Sequence, residues 1–159
     1  MRVTILAVGR LKAGPHRALF DDYAERVNRG GRALGLTLDV HEVAESRLSD
    51  AAARKTAEGE ALLARCAAGS AVVALDEAGK ALDSRGFATR IADWRDGGSR
   101  DLTFLIGGAD GLAPAVQARA DLRLAFGTMT WPHQLVRIML AEQLYRATTI
   151  LSGHPYHRD

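Results

Sequence analysis

The side chains best suited to chemistry gather in the last third of the chain. His154, Pro155, Tyr156, His157 and Arg158 set two imidazoles, a phenol and a guanidinium side by side. Such rings stack on unpaired bases and such cations bind phosphate, so the segment suits contact with RNA. Short chain ends are also often frayed and inert. Upstream, Pro132 and His133 stand where a helical pattern begins. A first-turn histidine meets the positive end of the helix dipole, which favours a neutral ring able to accept a proton. For an isolated histidine the simpler reading, a partly buried ring that satisfies backbone groups, would prevail. Arg137 follows one turn later on the same face, where it can hold a phosphate or a developing oxyanion, or pair with Glu142.

Three further segments carry ligand-binding chemistry. Gly107 and Gly108 follow the apolar run LTFLI, Gly127 and Thr128 follow LRLAF, and Leu75 ends AVVAL before DEAGK. In open α/β sheets ligands bind at the carboxyl ends of strands, so these three ends can line one pocket. Consecutive glycines let a ligand approach the backbone, although a plain strand-to-helix turn has the same composition. No phosphate-binding loop, nucleophile elbow or metalloprotease helix is present, and no metal-ligand set is evident. The glycines after the first strand do not match the dinucleotide fingerprint, which disfavours a flavodoxin-like nucleotide binder. Cys66 lies in the helical pattern EALLARCAAG without His or Cys nearby, and reads as a small core residue.

Periodicity predicts the elements that must position these groups. Residues 3–8 form a β-branched strand, and Pro15 opens a helix carrying Leu19, Phe20, Tyr23, Ala24 and Val27 at helical spacing. Residues 36–43 alternate as a strand with Leu36, Leu38 and Val40 on one face. Ser49 is placed to cap a long helix reaching residue 68, with Gly69 as its stop. Residues 71–75 form a strand covered on both faces, and DEAGK a turn. A helix opening at Ser84 places Phe87, Ile91 and Trp94 on one face, and Gly97 and Gly98 end it. Residues 102–106 form the next strand, 114–120 a short helix, and 122–126 the last strand. The loop GTMTWP then leads into a final helix over about 133–151. Five strands alternating with helices define the α/β class with a parallel sheet. The final helix is apolar on more than one face. It is either a subunit interface or a helix enclosed by its own fold.

The chain has 159 residues, which predicts one domain, 1–159, able to bury a sizeable core. Twenty-one Lys and Arg against nineteen Asp and Glu leave a formal charge of only +2. No apolar run approaches the roughly 18 residues of a membrane span, and the short N-terminal apolar stretch is no signal peptide. A soluble, cytoplasmic protein is therefore expected, with no membrane partner. The net charge conceals an uneven distribution. Residues 1–35 hold seven basic and three acidic side chains (+4), residues 36–118 nine and thirteen (−4), and residues 119–159 five and three (+2). An anionic partner would prefer the acid-poor C-terminal region. Eighteen Arg against three Lys, however, reads as a compositional bias, so position must carry that argument.

Taken together, FLIGGADGL, TWPHQLVRIMLAEQLYRA and HPYHR resemble the ribosomal RNA large-subunit methyltransferase H family of SPOUT methyltransferases. The similarity includes the opening VTILAVGRLK and the DDYAERV helix, and spans nearly the whole chain. It implies a parallel-sheet α/β/α sandwich with a C-terminal trefoil knot, an outcome that general topology rules would exclude. It further implies a homodimer that methylates N3 of a pseudouridine in 23S rRNA within the 70S ribosome, with S-adenosyl-L-methionine as cofactor. Carried over residue by residue, the cofactor positions are Leu75, Gly107, Gly108, Gly127, Thr128, Met129, Thr130, Trp131 and Pro132. Trp131 departs from the family's usual Leu or Phe. The expected catalytic residues are His133 as proton acceptor, with Arg137 or Arg158 stabilising the anionic ring, and Tyr156. His154, His157 and Arg158 are expected to contact RNA or complete the partner subunit's site. A related knotted methyltransferase acting on tRNA or a different rRNA base, and a non-catalytic ribosome-associated module, are the competing readings.

Overall fold

The computed structural model describes residues 1–158. In chain order the elements are β1 (Arg2–Val8), α1 (Pro15–Gly31), β2 (Thr37–Val43), α2 (Ala51–Leu63), β3 (Ala71–Ala81), α3 (Ser84–Asp96), β4 (Asp101–Ile106), α4 (Pro114–Arg119), β5 (Leu122–Ala125) and α5 (His133–Ser152). The five strands form one sheet in the order β2-β1-β4-β3-β5, and every neighbouring pair is parallel. All carboxyl ends therefore point the same way, bringing the loops that follow them to one rim.

The period-2 alternation of each strand divides the core into two layers. Val3, Ile5 and Ala7 of β1, Val73 of β3, and Leu102, Phe104 and Ile106 of β4 face the side covered by α1, α3 and α5. Leu6, Val8, Val72, Ala74 and Leu105 face the side covered by α2 and α4. The runs VVA and FLI are continuous because both faces are buried, as parallel sheets demand. Phe87 and Ile91 of α3 and Ile138, Leu140, Ala141 and Leu144 of α5 join the first layer. Much of the apolar surface of α5 is thus enclosed by its own fold, while Val136 and Met139 remain half-buried.

Several boundaries differ from the expectation, each for a local reason. α2 is capped by Asp50, whose carboxylate accepts from the Ala53 N–H at 2.7 Å, and not by Ser49. It ends at Leu63, so half-buried Cys66 lies in the turn beyond it. There burial pushes its thiol pKa up. Val40 is exposed, because β2 is the sheet's edge and α1 covers only Leu36 and Leu38 there. Asn28 of α1 satisfies that edge through both its amide groups, bonded to the Leu38 N–H and C=O at 2.7 and 3.1 Å. Most consequential for the site, DEAGK is not a turn that ends the strand. β3 leaves its ladder with β5 after Leu75 and rejoins it at Lys80, both residues facing Leu124. The intervening residues form a bulge.

Candidate functional site

The loops beyond β3, β4 and β5 meet in one cavity of about 680 Å³, a volume suited to a nucleoside-sized ligand. Its apolar lining includes Leu75, Ile106, Leu124, Phe126 and Val136, and its polar lining includes Lys55, Asp76, Glu77 and Gln117. Of the residues singled out from sequence, Leu75, Gly107, Gly108, Gly127, Met129, Thr130, Trp131, Pro132 and His133 all line it. Thr128 is exposed in the same loop but does not line the cavity.

Each wall follows from its local sequence. Beyond β4, the segment Gly107–Gly111 folds back on itself, with a bridge between Gly108 and Gly111. A Cβ on Gly107 would lie 2.7 Å from the Gly111 carbonyl carbon, so the turn closes only with glycine there. Arg54 of α2 fixes the loop from behind. Its guanidinium donates to both Asp110 oxygens at 2.8 and 3.2 Å, and to the Leu48 and Ser49 carbonyls. That contact holds the Asp110 carboxyl below the usual range. The β3 bulge supplies Asp76, which receives Gln117 at 2.8 Å and Arg123 at 2.9 Å. It also supplies Glu77, which accepts the Thr130 hydroxyl at 2.9 Å. Beyond β5, Gly127 takes a left-handed φ of 99°, and the Trp131 indole donates to the Phe126 carbonyl at 3.1 Å. Pro132 then caps α5, placing His133 in the first turn at the cavity wall.

Arg137 sits elsewhere than its helix position suggested. It is 2% exposed and does not line the cavity. Its guanidinium donates to the carbonyls of Val8 and Gly9, the latter at 2.9 Å, and pairs with Glu42 at 3.2 Å. Burial lowers its pKa, opposed by Glu42 and Glu45. The expected partner Glu142 instead binds Arg146 and the Tyr156 hydroxyl, the latter at 3.1 Å. Arg137 therefore locks α5 to the end of β1 through its two terminal nitrogens, while its buried Nε has no hydrogen-bond partner.

The tail packs against the far half of α5. The Tyr156 ring lies 4.7 Å from that of Tyr145 and beneath the Arg146 guanidinium, which also reaches His157 at 3.3 Å. Burial first, then hydrogen bonding with Tyr23 and the nearby Glu142 charge, push the Tyr156 phenol well above its ordinary value. His154 and Arg158 are exposed. Glu142 comes nine residues after His133, so Tyr156 is displaced from the histidine by roughly 13 Å along the helix axis. Within this chain none of the tail residues lines the cavity.

Sequence reasoning missed Lys55, Asp76, Glu77, Asp110 and Gln117 as neighbours of the cavity. The acidic pair Asp76–Glu77 was in view but read as a turn. Lys55 and Gln117 lie on helices whose faces only the sheet order aligns. Among the described residues no His, Cys, Asp or Glu cluster could hold a metal ion, and no helix is long and apolar enough to cross a membrane.

Comparison with known proteins agrees with this arrangement. A family model described as "Predicted SPOUT methyltransferase" matches residues 1–157. Proteins named ribosomal RNA large subunit methyltransferase H are similar over 159 residues, each match covering 99% of both chains. They include those of Bradyrhizobium diazoefficiens at 55% identity, Nitrobacter winogradskyi at 56% and Rhizobium leguminosarum bv. trifolii at 58%. With its parallel sheet, its glycine-lined cavity and this end-to-end similarity, the chain belongs to the SPOUT methyltransferases, among the relatives that carry the methyltransferase H name.

Proposed function

We propose that the chain is an rRNA methyltransferase that moves a methyl group from S-adenosyl-L-methionine to N3 of a pseudouridine in 23S rRNA, acting on the assembled 70S ribosome as a homodimer. The observation that carries this reading is the convergence of three separated loops and His133 on one cavity. The cofactor fits the residues present. Leu75, Leu124 and Phe126 offer an apolar bed for a purine, and the backbone around Gly107, Gly108 and Gly127 is open to polar contact. When bound, the cofactor supplies a methyl group already activated on a sulfonium.

The protein's own task is then alignment, exclusion of water and removal of one proton. His133 takes the N3 proton as the ring nitrogen attacks. Arg158 stabilises the anionic ring, since Arg137 is held by backbone carbonyls and Glu42. Because Tyr156 and its neighbours lie well down α5 from His133, the tail reaches a cavity from the partner protomer, where His154 and His157 contact RNA. The trefoil knot of the C-terminal segment belongs to the same reading.

Transfer of labelled methyl groups to intact ribosomes, followed by mapping of the modified nucleotide, tests the proposal. Methylation of one pseudouridine at N3 is expected, with far less on naked RNA. His133→Ala should lower the single-turnover rate by about 10²–10⁴-fold. A full rate for this variant across the pH range would remove His133 as the base, and wild-type protein without transfer would sink the activity itself.

A further inference from the structure

Glu58 of α2 does not line the cavity and takes no part in the scheme above. Its side chain is 6% exposed. Oε1 accepts the Ser46 N–H at 2.9 Å, but Oε2 is buried with no partner. Buried carboxylate oxygens are ordinarily hydrogen-bonded, and leaving one unpaired is costly. Its position gives the cost a use. A Cβ on Gly108 would lie 2.9 Å from Oε2 and 3.1 Å from Val8 Cγ1, so the free oxygen abuts Gly108, a residue of the cavity lining. Of the other charges nearby, Arg54 feels the Glu58 charge through space but is hydrogen-bonded to Asp110, and Arg123 pairs with Asp76. Lys55 and Glu77 stand on the cavity wall with opposite signs.

We propose that Glu58 is a specificity-determining residue of the cofactor cavity. Its half-satisfied carboxylate beneath Gly108 favours a ligand carrying positive charge over the same ligand once that charge is gone. This inference rests on the S-adenosyl-L-methionine reading. In that reaction the N–CH₃ bond forms as the S–CH₃ bond breaks, and the bonding electron pair stays on sulfur. The sulfonium becomes a neutral thioether, while the N3 proton passes to the base. A fixed negative charge in a poorly screened interior stabilises the first state and not the second. Glu58 thus helps load the cofactor and lets the spent product leave.

Calorimetry with S-adenosylmethionine and S-adenosylhomocysteine on the wild type and Glu58→Gln tests this. The variant should bind the sulfonium on the order of tenfold more weakly and the thioether about as before. A merely structural role would weaken both alike, and that result, or no change in either, would overturn the proposal. Should Glu58→Gln fail to fold, the wild type answers alone. An aza analogue with a methylated nitrogen in place of sulfur should bind more tightly in its protonated than in its neutral form, and equal affinity would overturn the proposal. If the wild type binds neither cofactor nor product, the cofactor reading itself fails and takes this inference with it.

Discussion

Arg137, itself buried, donates to two backbone carbonyls and to the partly exposed Glu42 carboxylate. Arg137→Ala removes the side-chain donor of the Val8 and Gly9 carbonyls and the ion pair of Glu42, which keeps the Leu11 N–H, and should lower unfolding stability by about 3–5 kcal/mol, read by urea denaturation. Arg137→Lys keeps the charge but not the fork, and should recover only part of the loss. Tyr156 makes a different prediction. Its phenol pKa is raised in the folded state, so the native protein holds that proton longer than the unfolded chain. The stabilisation is complete below the ordinary phenol value of 10.0 and is lost as pH rises past it toward the folded pKa. Ultraviolet titration should show one tyrosine ionising late, coupled to alkaline unfolding. At this scale the sequence was a partial guide. His133 and the glycines were legible because strand ends and helix starts carry local signatures. Arg137 was not, since a helix position says which residues share a face but not what that face meets.

Among the elements, the tail and the β3 bulge are the instructive ones. Residues 154–158 pack on α5 mainly through Tyr156, against Tyr145 and Arg146, and no tail residue belongs to either core cluster. Deleting the last six residues should therefore leave circular dichroism and oligomeric state intact while abolishing methylation of ribosomes. Retained activity would show that the tail plays no part in the site. The strands themselves were readable from buried runs and alternation, and the helices from Pro15, Ser84 and Pro114. The bulge was hidden, because DEAGK has the composition of a turn and the strand it rejoins lies more than forty residues later. A close approach at Gly79, where a Cβ would lie 2.6 Å from the Arg123 carbonyl carbon, permits that second pairing. Nothing in the local sequence announces it.

For the whole molecule, the parallel sheet and its two-sided core follow from pattern, while subunit assembly depends on surfaces. Beside Gly127 runs a second cavity lined by Leu19, Tyr23, Leu82, Phe87 and Met139, and Leu19 is 46% exposed. If this face joins two protomers, light scattering should give twice 17.1 kDa, and Leu19→Asp should shift the population toward monomer. A monomeric wild type would reject the dimer. The bond from Arg137 to Val8 spans 129 residues of sequence, and the cavity takes walls from α2, from the three strand ends and from α5. Contacts of such separation are slow to form, because a long loop must close first. A chain emerging N-terminus first makes β1 early but cannot seat α5 upon it until the residues through Ser152 are out. In the terms of protein synthesis, the cavity is among the last parts of this fold to be completed, because its α5 wall cannot be seated before residues 133–152 have been made.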